Sequence, residues 1–248
     1  MDNQVVLITG ALAGIGRATA TAFARDGASV VVSGRRDEEG RALVAELREL
    51  GGNAEYIHAD VAIEDEVRAL VKGTVTIFGR LDAAVNNAGF TGDSGPLTTQ
   101  TEQAYDTVFN TNVRGLLFCL KHELRVMIEQ GSGSIVNLSS TFGERGGAGA
   151  GLYVASKHAV NGFTRSAALE VAADGIRVNA VAPGPVATAG LAAFAGSPDM
   201  TAALAADVPM GRLGHVDEIA EVIQFLTSDQ ARFITGQIVA VNGGKTAR

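Results

Sequence analysis

The chain has 248 residues, 46% of them hydrophobic and 19% charged, which is enough apolar mass for a sizeable core and too little charge for a disordered chain. Its net charge of −7 argues against nucleic acid, acidic proteins and anionic membrane surfaces as partners, since each needs a basic face. The single cysteine, Cys119, excludes an intrachain disulfide. No run reaches the ~18 apolar residues of a membrane span, and residues 1–9 lack the basic and apolar regions of a signal peptide, so a soluble cytoplasmic protein is expected.

Read in chain order, short apolar runs alternate with longer helical patterns. Val5-Val6-Leu7-Ile8 is apolar on both faces, as a buried parallel strand should be. It runs into Thr9-Gly10-Ala11-Leu12-Ala13-Gly14-Ile15-Gly16, which opens a helix predicted over 14–26. Ser29 to Val32 is the next strand. Asp37 is placed to cap a helix over 38–50, and Gly51-Gly52 to end it. Asn53 to Ala59 is a weaker strand candidate of mixed polarity, followed by a helix over 64–78 and a strand at Ala83 to Val85.

One helix is predicted over 102–129, with Cys119 in its apolar run as a buried, inert thiol. Ser134 to Leu138 is a strand ending in Ser139-Ser140, and a helix over 153–173 stops before Gly175. Ile176 to Val181, a helix over 217–227 and Gln237 to Val241 complete the series. Such alternation predicts an α/β fold, a single doubly wound Rossmann-type parallel sheet with helices on both faces, in one domain over 1–248. Residues 187–210, Ala-rich and interrupted by Gly190, Gly196 and Pro198, suit short helices and a lid over a ligand.

Two motifs carry chemistry. In the first turn, Gly10 permits the tight bend, Gly14 lets backbone approach a pyrophosphate, and Gly16 lets helix and strand pack closely. The helix N-terminus supplies free N–H groups to an anion, so this turn is read as a dinucleotide cradle. In Tyr153-Val154-Ala155-Ser156-Lys157, phenol and ammonium stand four apart on one helix face. A phenol can protonate the alkoxide left when a ketone accepts hydride, and a nearby ammonium is expected to lower its pKa from ~10 toward neutrality. The four histidines form no pair at metal-ligand spacing, so no metal is expected.

The glycine turn has the spacing T-G-x-x-x-G-x-G. With Asn86-Asn87-Ala88-Gly89, the Ser140/Tyr153/Lys157 set, Pro183-Gly184 and Val241-Asn242-Gly243-Gly244, it makes the chain resemble the short-chain dehydrogenase/reductase family over essentially its whole length. The resemblance implies an NAD(P)-dependent oxidoreductase that interconverts a secondary alcohol and a ketone. It implies Tyr153 as general acid/base, Lys157 as its partner and a holder of the cofactor ribose, and Ser140, thirteen residues before the tyrosine, as holder of the substrate oxygen; Ser139 is its neighbouring competitor. Asn112, with Asn110 as competitor, matches the asparagine that kinks the helix and supports a proton-relay water.

For the cofactor, the resemblance assigns Gly10, Gly14, Ile15 and Gly16 to the phosphates, and Asp60 and Val61 to the adenine. Asn87 and Gly89 fall near the adenine ribose, and Pro183, Gly184, Val186 and Thr188 beside the nicotinamide carboxamide. The residue that usually reads the 2′-hydroxyl falls on Gly34, and Arg35 follows it; a guanidinium there suits a 2′-phosphate, so NADP is preferred over NAD, with stacking of Arg35 on adenine as the alternative. Asp60 could also cap the helix that follows.

The pocket is expected among residues 91–96, Thr141 to Leu152 and 187–210, small and mostly apolar with Glu144 and Arg145 at one edge, which suits a modest hydrophobic or cyclic substrate. An acyl-carrier-protein ketoreductase is the alternative, weakened by the lack of a basic docking cluster, and a silent cofactor-binding sensor is a third reading. The family's habit of pairing its two long helices implies a homotetramer, or at least a dimer, through Leu116, Leu117, Phe118, Leu120, Val160 and Phe163.

Overall fold

Residues 4–247 are described by the structure, a computed structural model. In chain order the elements are β1 (Val5–Thr9), α1 (Gly14–Arg25), β2 (Ser29–Gly34), α2 (Asp37–Glu49), β3 (Asn53–His58), α3 (Glu64–Phe78), β4 (Ala83–Asn86), α4 (Glu102–Phe109), α5 (Gly115–Gln130), β5 (Gly133–Leu138), α6 (Gly151–Val171), β6 (Ile176–Pro183), α7 (Ala189–Ala195), α8 (Pro198–Ala206), α9 (Val216–Thr227) and β7 (Ile238–Val241). The strands form one parallel sheet in the order β3-β2-β1-β4-β5-β6-β7. This is the doubly wound α/β arrangement that the alternation predicts.

Side chains alternate across each strand, so the two faces of the sheet carry separate cores. Val6, Ile8, Val30 and Val32 face Phe23, Leu43, Leu47, Ile219 and Ile223 of α1, α2 and α9. Leu7, Val31, Ala84 and Ile135 face Leu70, Leu116, Met127 and Val160 of α3, α5 and α6. Helices on both sides are the reason the central strands read as unbroken apolar runs. β3 lies at the sheet edge and is only partly covered, which explains its mixed polarity.

Three local expectations need correction. Asp37 is the first helical residue and Arg36 the cap; the acid acts through the helix dipole and through contacts with Tyr56 and His58. Ile63, not Asp60, caps α3. The helix expected over 102–129 is two helices joined by a π-helical turn, Asn110–Arg114. There the buried Asn112 amide accepts from Phe90 N and donates to Phe90 O, both at 2.8 Å, and donates to Ser156 Oγ at 3.0 Å. Those tertiary bonds hold the widened turn. Gly115 follows because a Cβ there would meet Val61 Cγ2 at 2.7 Å.

β1 pairs with β2 on one side and β4 on the other, so the strand order reverses at its carboxyl end. In open α/β sheets the ligand crevice lies at such a switch point.

Candidate active site

A cavity of about 420 Å³ opens above the carboxyl ends of β1, β4, β5 and β6. The glycine turn forms one wall. Gly10 has φ +61°, and a Cβ on it would meet Ala88 Cα at 2.8 Å; a Cβ on Gly16 would meet Gly10 O at 2.5 Å. Asn87 Nδ2 donates to Thr9 O (3.1 Å) and Gly10 O (2.8 Å), and Ala88 N donates to Thr9 Oγ1 (3.2 Å). Asn87 therefore fastens the turn to β4 besides lying beside the cavity. α1 begins with no side-chain cap and no acid in its first turn. Its amides are left for an anion, and the bare-glycine cradle fits a pyrophosphate.

The second wall carries the titratable groups. Tyr153 and Ser140 line the same wall, and the Ser140 hydroxyl acts to lower the phenol's pKa. Ser140 Oγ accepts from Phe142 N at 3.1 Å. Ser139 turns away, its Oγ donating to Asn161 Oδ1 at 2.6 Å. Buried Lys157 donates from Nζ to Leu138 O at 2.6 Å, and Nζ lies 5.5 Å from the Tyr153 ring centre. The structure thus brings Ser140, Tyr153 and Lys157 together. Asn112 sits behind them: its Oδ1 and Lys157 Nζ would each lie 3.5 Å from a Cβ on Gly89.

The electrostatics run opposite to the sequence expectation. Burial pushes the Tyr153 phenol up to about 12, opposed only in part by Ser140, and pushes the Lys157 ammonium down to about 8. Loss of hydration penalises both charged forms and is the dominant cause of both shifts. The pair rests as a neutral phenol over an ammonium that titrates near 8.

At the other end of the crevice Arg35 is 72% exposed, with Nη1 3.4 Å from Asp60 Oδ2. Asp60 Oδ1 accepts from Ala62 N at 3.0 Å, while its own N–H donates to Glu66 at 2.7 Å. A Cβ at Gly34 would press on Leu12 Cδ1 at 2.7 Å, so an acid there needs Leu12 to move. Val61 is buried. Gly184 N donates to Val241 O at 3.0 Å, tying the Pro183-Gly184 turn to β7. Val186 bridges to Gly214. Thr188 caps α7 through its hydroxyl, and its methyl would lie 3.3 Å from a Cβ on Gly14. The 187–210 segment, two short helices α7 and α8, thereby covers the glycine turn and places Leu191, Phe194 and Leu204 in the cavity wall.

Cys119 is buried and burial raises its thiol pKa. Among the described residues no cluster of His, Cys, Asp or Glu is arranged to hold a metal. Two groups escaped the sequence reading. Lys245 is buried, lines the cavity and pairs with Asp207 at 2.9 Å. Glu123 is fully buried, accepting from Asn86 Nδ2 at 2.9 Å. Its position four after Cys119 on the apolar face of a helix was a signal available in the sequence.

A family model described as enoyl-(acyl carrier protein) reductase matches residues 10–246. An A-factor type gamma-butyrolactone 1'-reductase (1S-forming) of Streptomyces virginiae is 46% identical, covering 99% of this chain and 96% of its own. The cis-4-hydroxycyclohexanecarboxylate dehydrogenase of Sinomonas cyclohexanicum is 44% identical (99% and 97%). The 3-oxoacyl-[acyl-carrier-protein] reductase FabG of Staphylococcus aureus is 42% identical (98% and 98%). Among solved structures, levodione reductase superposes with a TM-score of 0.97 at 36% identity, covering 100% of this chain and 99% of that one. ElxO with NADP bound superposes at 0.94 and 35%, covering 99% and 100%. The chain belongs to the short-chain dehydrogenase/reductase family. It is an NAD(P)-dependent oxidoreductase of that family.

Proposed function

We propose that this protein reversibly reduces a ketone to a secondary alcohol on a small, mostly apolar and cyclic substrate, with NADP(H) as the preferred cofactor. The observation that carries the reading is the gathering of Ser140, Tyr153 and Lys157 on one wall of a cavity whose other wall is the glycine cradle. The bound nicotinamide supplies or accepts the hydride. Ser140 holds the carbonyl oxygen, and Tyr153, neutral at rest, gives its proton to the nascent alkoxide; Lys157 keeps a positive charge beside the resulting phenolate. Asn112 positions the polar chain behind Lys157.

The glycine turn, with Gly10, Gly14, Ile15 and Gly16, holds the pyrophosphate, and Asn87 and Gly89 flank the ribose. Asp60 and Val61 face the adenine; Pro183, Gly184, Val186 and Thr188 face the carboxamide. Arg35 supports NADP, as does the similarity to ElxO, which has NADP bound. The 187–210 segment acts as the lid. The similarity to the cyclohexanecarboxylate dehydrogenase supports a ring substrate over an acyl carrier. A panel of cyclic and acyclic ketones, with NADPH and NADH, tests the reading. Turnover of cyclic ketones with NADPH, abolished in Tyr153→Phe without loss of cofactor binding, is expected. A Tyr153→Phe variant keeping more than about a tenth of kcat overturns the assignment, since losing a general acid typically costs ~10²–10⁴.

A further inference from the structure

The chain carries a net charge of −7, yet no Asp or Glu of the described residues lines the cavity, while Arg145, Lys157 and Lys245 do. Two of these cations have protein partners: Lys157 donates to Leu138 O and Lys245 pairs with Asp207. Arg145 has neither. Among the described residues its buried Nε has no hydrogen-bond partner, and no carboxylate of those residues pairs with it. Its guanidinium lies 5.8 Å from the Phe142 ring centre. That ring stands edge-on to Tyr153, with centroids 6.2 Å apart. Arg145 is thus one aromatic ring away from the proton donor.

Cofactor phosphates do not account for it. The cradle lies at the end of β1, and Arg145 follows β5, with β4 between them. The neighbours of Arg145 are instead Phe142 and, beyond that ring, Tyr153. A half-buried guanidinium in a mostly apolar wall loses hydration, and a neutral substrate returns nothing for it. A planar anion does, because the two Nη groups of the guanidinium form a fork that matches a carboxylate.

We propose that Arg145 is a specificity residue that binds a carboxylate carried by the substrate across a ring, or a short chain, from its reacting carbonyl. The substrate class is then a small keto acid and its hydroxy acid. This rests on the reading of the site as a ketone reductase.

The test compares 4-oxocyclohexanecarboxylate with its methyl ester, using NADPH. Wild type should prefer the acid in kcat/KM, and Arg145→Gln should lower the acid-to-ester ratio by about 10- to 100-fold. Arg145→Lys should restore part of it. A binding measurement stands independently of turnover: calorimetry on the NADP-loaded protein, with cyclohexanecarboxylate against cyclohexanecarboxamide. The acid should bind more tightly to wild type, and Arg145→Gln should erase the difference. If wild type reduces the ester as well as the acid, or if the ratio survives Arg145→Gln, the proposal is overturned while the reductase reading stands. If no ketone is reduced, that reading fails, and equal binding of acid and amide overturns Arg145's role separately.

Discussion

At the scale of single residues, the pair Tyr153 and Lys157 has an inverted charge economy. Below about pH 8 Lys157 is an ammonium, and above it the amine is neutral; Tyr153 holds its proton up to about 12. For ketone reduction the donor is therefore protonated throughout the working range, and the lysine charge sets the alkaline limit. Since kcat/KM reports the free enzyme, its profile should fall as pH rises through about 8. Lys157→Arg, which stays charged, should move that break upward, and an unmoved break would assign it elsewhere. Arg35 makes the second residue-scale prediction. Arg35→Asp removes the cation proposed to meet the 2′-phosphate and sets a carboxylate beside Asp60. A charge-assisted hydrogen bond contributes roughly 1.5–3 kcal/mol, so KM for NADPH should rise at least about tenfold with little change for NADH. A wild type that already prefers NADH would show that Arg35 stacks on adenine. The Tyr153–Lys157 juxtaposition was legible because i and i+4 share a helix face. The pKa directions were not, because desolvation depends on what covers both side chains.

At the scale of elements, α5 holds a group that sequence periodicity passed over. Glu123 is fully enclosed, and burial raises its carboxyl to about 7 despite the Asn86 hydrogen bond. Its Oε1 and the Asn86 Oδ1 lack partners, while Asn86 also donates to Asn137, which donates to Thr164. An unfolded glutamate releases its proton near 4.5, so the folded chain binds more protons than the unfolded chain between there and about 7. Stability is therefore undiminished below 4.5, declines as pH rises toward 7, and stays reduced above it, by something on the order of 3 kcal/mol. Glu123→Gln keeps an acceptor for Asn86 and removes the ionisation. Its melting temperature should exceed that of wild type at pH 8, with the gap closing near pH 5; a gap independent of pH would mean that packing, not ionisation, is responsible. The π-helical turn was equally hidden, since the apolar spacing of α4 and α5 continues through it, and only the bonds from Asn112 to Phe90 and Ser156 reveal it.

At the scale of the molecule, the layer order was readable because central parallel strands are apolar on both faces. How copies of the chain meet was not, because apolar residues count the same in sequence whether they face the core or the solvent. Of the six residues expected to pair the long helices, Leu116, Leu120 and Val160 are buried inside the chain, whereas Leu117 is 44% exposed. On the same two helices Ile128 and Leu169 are also exposed, Leu169 at 85%. A second apolar region lies toward the β7 edge: the strand is only partly covered, and Phe233, just before it, is fully exposed. Open sheet edges and clustered exposed apolar groups call for cover. If each of these two patches pairs with its own copy about a two-fold axis, a tetramer results. Light scattering at micromolar concentration should therefore give the mass of four chains. Leu117→Glu with Leu169→Glu should break the helix-mediated contact, and Phe233→Asp the one at the β7 edge, each leaving a dimer; all three together should leave a monomer. A monomeric wild type would refute the assembly. A dimer that survives only one of the two disruptions would show that a single patch is used.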